Sequence, residues 1–196
     1  MDEPNLNRAV AFMRLLHAFQ TVERVVLAPD LTRKENDIEH SYMLAMFCWY
    51  LHDSLGLKLD MYKVFQYSLA HDFVEVYAGD TYAFDHKGKK TKHKREENAR
   101  LRIAAEFPEF KDMHEAIKRY EDREDPESVF VHAVDKLLPM LTNYLQKGHN
   151  WKQMNVQRKD LYALKRETTK NQEQVRRLVE ELVTEIEPRW TEFFNF

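Results

Sequence analysis

Residues 37 to 55, DIEHSYMLAMFCWYLHDSL, constrain this chain more than any other stretch. Apolar side chains recur on every side of a helical wheel, and a helix that is apolar all round has to be buried. The stretch is therefore read as the central helix, with the other elements wrapped around it. Its ends are marked as well. Asn36 followed three residues later by Glu39 resembles a capping box, and Gly56 suits a C-terminal stop. The chain has only 4 glycines in 196 residues. That argues against sheet architectures with many tight turns and against Gly-rich phosphate loops. The expected fold is all-α, a helical bundle.

The flanking segments fit that expectation. Leu6, Val10, Met13, Leu16 and Phe19 fall near helical spacing in a helix from Asn5 to about Phe19. Asp60 is placed to cap a helix that carries Val64, Phe65, Tyr67, Leu69, Phe73 and Val74 and ends near Gly79. Residues 87 to 95 hold six cations in nine positions and are read as a solvated, mobile loop leading into a helix that Pro108 stops, the alternative being an electropositive rim that attracts nucleotide phosphates through one or two lysines. A short helix from about Glu109 to Tyr120, a solvated acidic turn (121–127) and a helix from about Glu127 to Leu145 follow, the last with Pro139 as its kink. Residues 148 to 156 are read as loop and Lys159 to Glu187 as one long helix. The aromatic tail WTEFFNF needs burial, on its own chain or on a second copy. Trp49, Met13, Met43, Met46, Met140 and Met154 are read as core, and His17, His52, His86 and His149 as surface. No repeat or linker divides the sequence, so 1–196 is taken as one domain, with residues 157–196 as its C-terminal helix and tail.

Composition narrows the function classes. Cys48 is the only cysteine, which excludes an intramolecular disulfide and a thiolate-built zinc site and fits a reducing, cytoplasmic setting. The longest uncharged apolar run, Tyr42 to Leu51, is half of the roughly 20 residues a bilayer needs. The first ten residues, MDEPNLNRAV, carry acids where a signal peptide carries bases. The formal net charge is -3, and no aromatics interleave with the basic strip, so neither a nucleic-acid partner nor a membrane is expected.

Against this apolar background four polar residues stand out: His40, His71, Asp72 and Asp135. Taken singly, each suits a paired structural residue. Together they need a cation, because a buried carboxylate must be paired or bound to a metal, and Lys136 is expected to point about 100° away from Asp135 on a helix. His132 is read as a packing histidine. Imidazole and carboxylate ligands suit Mn, Fe, Co, Ni or Zn. Glu75 lies four residues after His71 and three after Asp72, on nearly the same helix face. That is the place of a general acid/base beside a metal site.

Three ordered motifs, E-N-D-I-E-H-S (35–41), A-H-D-F-V-E-V-Y-A-G-D (70–80) and V-D-K-L (134–137), resemble those of the HD-domain metal-dependent phosphohydrolases. The likeness is greatest to the small bacterial 5'-deoxynucleotidase branch and covers roughly residues 8 to 145. The resemblance implies an HD-type bundle with His40, His71, Asp72 and Asp135 as ligands of one divalent metal, Mn or Co ahead of Fe, Ni, Zn or Mg. It implies Glu75 as the residue that aligns or activates water, Asp80 at the sugar 3'-hydroxyl, and Arg24 at the phosphate after a one-residue insertion, with Arg33 as the substitute. Tyr82, beside Asp80, is a candidate for stacking on a base. The implied activity is removal of the 5'-phosphate from deoxynucleoside monophosphates, with a nucleotide as partner and a homodimer as assembly. The alternatives are a dNTP or other nucleotide phosphohydrolase on the same fold, and a non-catalytic nucleotide-sensing module.

Overall fold

The computed structural model describes residues 5–195; the first four residues of the expected leaderless start, and Phe196 of the aromatic tail, lie outside them, as does the side chain of His86. Helix α1 (Leu6–Gln20) leads into a hairpin of β1 (Glu23–Leu27) and β2 (Lys34–Asn36). Then come α2 (Asp37–Ser54), α3 (Met61–Ala70), α4 (Glu75–Ala78), α5 (His86–Glu106) and α6 (Lys111–Asp122). After these run α7 (Pro126–Leu145), α8 (His149–Gln153), α9 (Arg158–Thr169), α10 (Glu173–Ile186) and a closing 3-10 turn, Glu187–Glu192. The fold is helical, as the sequence predicts, with the antiparallel hairpin as its one addition.

Helix α2 begins where its cap predicts. The Asn36 side chain accepts from the Glu39 N–H, and Glu39 returns a bond to the Asn36 backbone. Asp60 caps α3 one way only, its side chain accepting from Tyr62 N–H. The main core joins α2, α3, α7, α9 and α10 through Leu44, Val64, Tyr67, Phe130, Leu137, Leu161, Val179 and Ile186. A second cluster packs α1 against α5 and α6 through Phe19, Phe73, Ile103 and Ile117. Phe193 and Phe194 of the tail are buried on their own chain. Phe194 stacks on Trp151 at 5.0 Å, and Phe193 stacks on Tyr144 at 5.5 Å. Truncating a fully buried aromatic costs about 3–5 kcal/mol. We therefore expect Phe194→Ala to lower the unfolding free energy by that amount in urea titrations with an unchanged m-value.

Several expectations need correction. The segment read as one helix from Asp60 to Gly79 breaks after Ala70, so His71 and Asp72 sit in a tight turn between α3 and α4. Residues 87–95 are not a mobile loop but the first half of α5, started by Asp85, whose side chain accepts from Lys87 N–H and Gly88 N–H. The acidic turn is not merely solvated: Asp125 caps α7, and buried Glu127 accepts from Asp60 N–H at 2.9 Å. Residues 148–156 contain α8, and the long C-terminal helix is two helices separated at Lys170–Gln172. Trp49, Met13, Met46 and Met154 are exposed, whereas Met140 is buried and Met43 packs against the core. The exposed Trp49 lies edge-on to Phe65 at 5.7 Å. Lys136 does not point away from Asp135: a flexible side chain spans what a Cβ direction forbids, and its Nζ reaches Asp135 Oδ2 at 2.6 Å.

Candidate active site

The hairpin, the start of α2, the turn after α3, the start of α4 and the middle of α7 meet at one polar cleft. It is lined by Arg24, Asp72, Glu75, Asp80, Lys92 and Lys136 among others, with Asp135 at its floor and Tyr82 on its wall. His40 rises from the first turn of α2 and places Nε2 3.0 Å from Asp135 Oδ1. His71 Nε2 lies 3.0 Å from Asp72 Oδ2 and 3.9 Å from Asp135 Oδ1. The four residues expected from sequence thus converge from α2, the inter-helix turn and α7. Single donor atoms of His40, His71 and Asp72 lie within 4.8 Å of one another.

The chemistry of this donor set fits a cation. His71 Nδ1 lies 3.0 Å from the Ser68 carbonyl, which can only accept, so Nδ1 carries the proton. In the neutral ring Nε2 is then a lone pair facing a carboxylate oxygen. That nitrogen is buried and makes no hydrogen bond. Two acceptors at 3.0 Å need a positive charge between them. Burial works against a second proton on His71, yet Asp72 raises its affinity for one above the ordinary value. A divalent ion answers the same demand without that proton. His40 stays neutral, held down to about 4 by burial and then by Arg24. Burial also opposes the charge on Asp72, but His71 and Arg24 keep it ionised.

Around this set lie further charged residues: Arg24, which the sequence pointed to, and Glu35 and Asp37, which sequence reasoning missed. Arg24 sits on β1, facing inward. Its Nη1 donates to Asp72 Oδ2 at 2.7 Å and to Asp37 Oδ1 at 3.1 Å, and its Nε lies 3.6 Å from Glu35 Oε2. Glu35 and Asp37 are buried members of the same short motif as His40. Burial pushes Glu35 up to about 7, and burial with Asp72 pushes Asp37 up to about 6. Asp37 precedes His40 by three residues, so helical spacing alone places both on one face. A second acidic group, Asp37, Asp72 and Glu75, overlaps the first through Asp72.

Glu75 opens α4 and is buried, with Oε2 unpartnered and Oε1 3.9 Å from Lys92 Nζ. Burial, then Asp72 and Asp80, push its carboxyl up to about 10. Asp80 follows Gly79, whose φ of 72° lets the chain leave α4 sharply. Arg33, in contrast, lies outside the cleft, paired with Glu39 at 2.6 Å on the exposed start of α2. His132 contacts Arg123 through Nδ1 at 2.6 Å and packs on Tyr120 away from the cleft.

This constellation has known counterparts. The HD domain family model matches residues 16–176. The chain belongs to the HD-domain family. Among HD proteins of known structure, it resembles a predicted metal-dependent phosphohydrolase from Magnetospirillum magnetotacticum MS-1, with a TM-score of 0.84 and 27% identity over 97% of this chain and 96% of that one. A conserved hypothetical protein from Pyrococcus furiosus shares the fold, with a TM-score of 0.63 and 18% identity over 88% of this chain and 98% of that one. In sequence, the 5'-deoxynucleotidase HDDC2 of Homo sapiens is 29% identical over 64% of this chain, and that of Danio rerio 24% over 67%. The match spans 61% of the human protein and 66% of the fish protein.

Proposed function

We propose that this HD domain, taken as one domain over residues 1–196, is a metal-dependent phosphohydrolase that removes the 5'-phosphate of deoxynucleoside monophosphates. The observation that carries this reading is the His71–Asp72 pair. A buried imidazole lone pair and a carboxylate face each other at 3.0 Å, with His40 and Asp135 closing the same point. The names of the human and bacterial relatives agree with it. His40, His71, Asp72 and Asp135 would hold one divalent ion, Mn or Co in preference. When bound, that ion supplies Lewis acidity and an acidified water.

The chain's own residues do the rest. Glu75 accepts a proton from the attacking water. The water oxygen bonds to phosphorus, the P–O5' bond breaks, the proton held by Glu75 passes to O5', and orthophosphate and a deoxynucleoside leave. Arg24, whose planar fork suits a phosphate, stabilises the charge on the transferring group. Asp80 at the cleft mouth accepts from the sugar 3'-hydroxyl, and Tyr82 forms a wall for the base. No described helix is long and apolar enough to cross a membrane. A cytoplasmic homodimer completes the proposal, supported by exposed Tyr42, Met46, Trp49 and Tyr50 along α2.

The test is a phosphate-release panel on metal-stripped protein. It combines dNMPs, rNMPs and dNTPs with Mn, Co, Mg, Zn and Ni. Turnover of dNMPs restored by Mn or Co is the expected result. No turnover with any metal overturns the enzyme reading, tripolyphosphate from dNTPs would move the substrate class, and equal rates on ribo- and deoxyribonucleotides remove the role given to Asp80.

A further inference from the structure

The basic strip at residues 87–95 has no part in the function derived so far, and the structure shows that its six cations are not equivalent. Lys87, Lys89, Lys90 and Lys94 are exposed on α5. Lys92 and Arg95, one turn apart, face inward. Arg95 donates through Nη1 to the Ala78 carbonyl and through Nη2 to Thr81 Oγ1 at 2.6 Å. It thereby ties α5 to the loop that carries Asp80 and Tyr82. Lys92 is the one cation of the strip that lines the cleft itself. Its Nζ lies 3.2 Å from Glu96 Oε1 and 3.9 Å from Glu75 Oε1.

The other cleft cations are already engaged. Arg24 Nη1 serves both Asp37 and Asp72, and Lys136 lies directly on Asp135. Lys92 has looser ties. Its contact with Glu75 is at the limit of an ion pair, and its bond to Glu96 is a single i,i+4 pair along the helix. Such a pair gains nothing by being drawn inward, and the other i,i+4 pair of α5, Arg102–Glu106, stays on the surface. The Lys92 side chain is 35% exposed at the cleft, so the ammonium, set between Glu96 and Glu75, is still open to an anion that enters there. The place it faces is beside the carboxylate proposed to handle the attacking water, where a phosphoryl group would sit.

We infer that Lys92 is a substrate ligand: its ammonium exchanges Glu96 for a phosphoryl oxygen when a phosphate enters the cleft. The inference rests on the phosphohydrolase reading and adds the residue that binds the anion from the α5 side. An ammonium on a flexible stem suits this exchange better than a guanidinium fixed among carboxylates.

The test uses the full chain loaded with Mn and compares wild type with Lys92→Met and Lys92→Arg. Metal content is read by elemental analysis, orthophosphate binding by calorimetry, and dNMP turnover by phosphate release. Lys92→Met is expected to keep its metal, to weaken orthophosphate binding at least about tenfold, and to raise KM by a similar factor with a smaller change in kcat. Such a loss matches a charged hydrogen bond of about 1.5–3 kcal/mol. Lys92→Arg is expected to recover most of the binding. Orthophosphate binding equal to wild type in Lys92→Met overturns the inference alone. If wild type binds no orthophosphate and turns over no nucleotide, the phosphohydrolase reading falls and takes the inference with it. A Lys92→Met protein that loses its metal is also a negative result, since it gives Lys92 a structural role.

Discussion

Asp72→Asn is expected to lose metal and turnover together while leaving the fold intact. Asp72 is the candidate ligand that joins His71 to Arg24. Its Oδ2 faces His71 Nε2 at 3.0 Å and accepts from Arg24 Nη1 at 2.7 Å, and its carboxylate belongs to both groups of donors that converge there. Asparagine keeps the shape but removes the charge and puts an N–H donor on the atom set that faces a cation. Changing a residue that merely supports a ligand lowers metal affinity by 10–100-fold, so replacing a shared ligand should lower it by at least about 100-fold. Arg24 does not become an orphan, because Asp37 and Glu35 still face it. The near-ultraviolet dichroism should therefore match wild type. The measurements are metal content after gel filtration and phosphate release from dNMPs. Wild-type metal content in Asp72→Asn would remove the ligand role, whatever the activity.

The outcome at Asp72 also shows which parts of the site the sequence exposes. A carboxylate in an apolar stretch declares that it needs a partner, and the ordered spacing of the three motifs makes the partners His40, His71 and Asp135. Residue type and hydropathy single out the four residues, and the family resemblance implies that they act as one ligand set. The position of Asp72 in a turn is less legible. Leu69, Ala70, Phe73 and Val74 continue a helical apolar pattern that carries no sign of the break after Ala70. The hairpin is hidden for another reason. Glu23–Leu27 is five residues long, with a burial pattern too short to separate from a loop, and it pairs only with three residues of β2. Its consequence is large, because the strand turns Arg24 inward onto Asp37 and Asp72. Lys92, Lys136 and Arg95 were legible only as charge. Whether a lysine in a basic run faces water or a cleft depends on the rotation of α5 about its axis, which packing of Ala99 and Ile103 decides. Family resemblance covers the ligands and leaves these cations unassigned.

Glu75→Gln should separate chemistry from metal binding and from stability, three properties that Asp72→Asn changes or holds in different combination. Glu75 is 2% exposed, with one carboxylate oxygen unpartnered. In the metal-free protein, burial and the charges on Asp72 and Asp80 push its carboxyl up to about 10, so it is neutral at pH 8 and glutamine is its near-isostere. The sign of the linkage follows. A folded state that holds a proton the unfolded state has released loses stability as pH rises between the two values. Metal-free wild type therefore carries a penalty at Glu75 that grows from about pH 4.5 towards pH 10, and Glu75→Gln does not. The melting temperature of the metal-free variant should equal wild type near pH 5 and exceed it by an increasing margin at pH 7 and 9. In the Mn-loaded protein the variant should bind metal as wild type does. Its turnover should fall by about 10²–10⁴, the usual contribution of a positioned general base, because an amide cannot take a proton from the attacking water. KM for dNMPs should change little, since Lys92 and Arg24, not Glu75, are the residues proposed to hold the phosphate. Loss of metal in Glu75→Gln would make Glu75 a ligand, and unchanged turnover would assign the proton to another acceptor in the cleft, with Asp80 the next carboxylate along the chain.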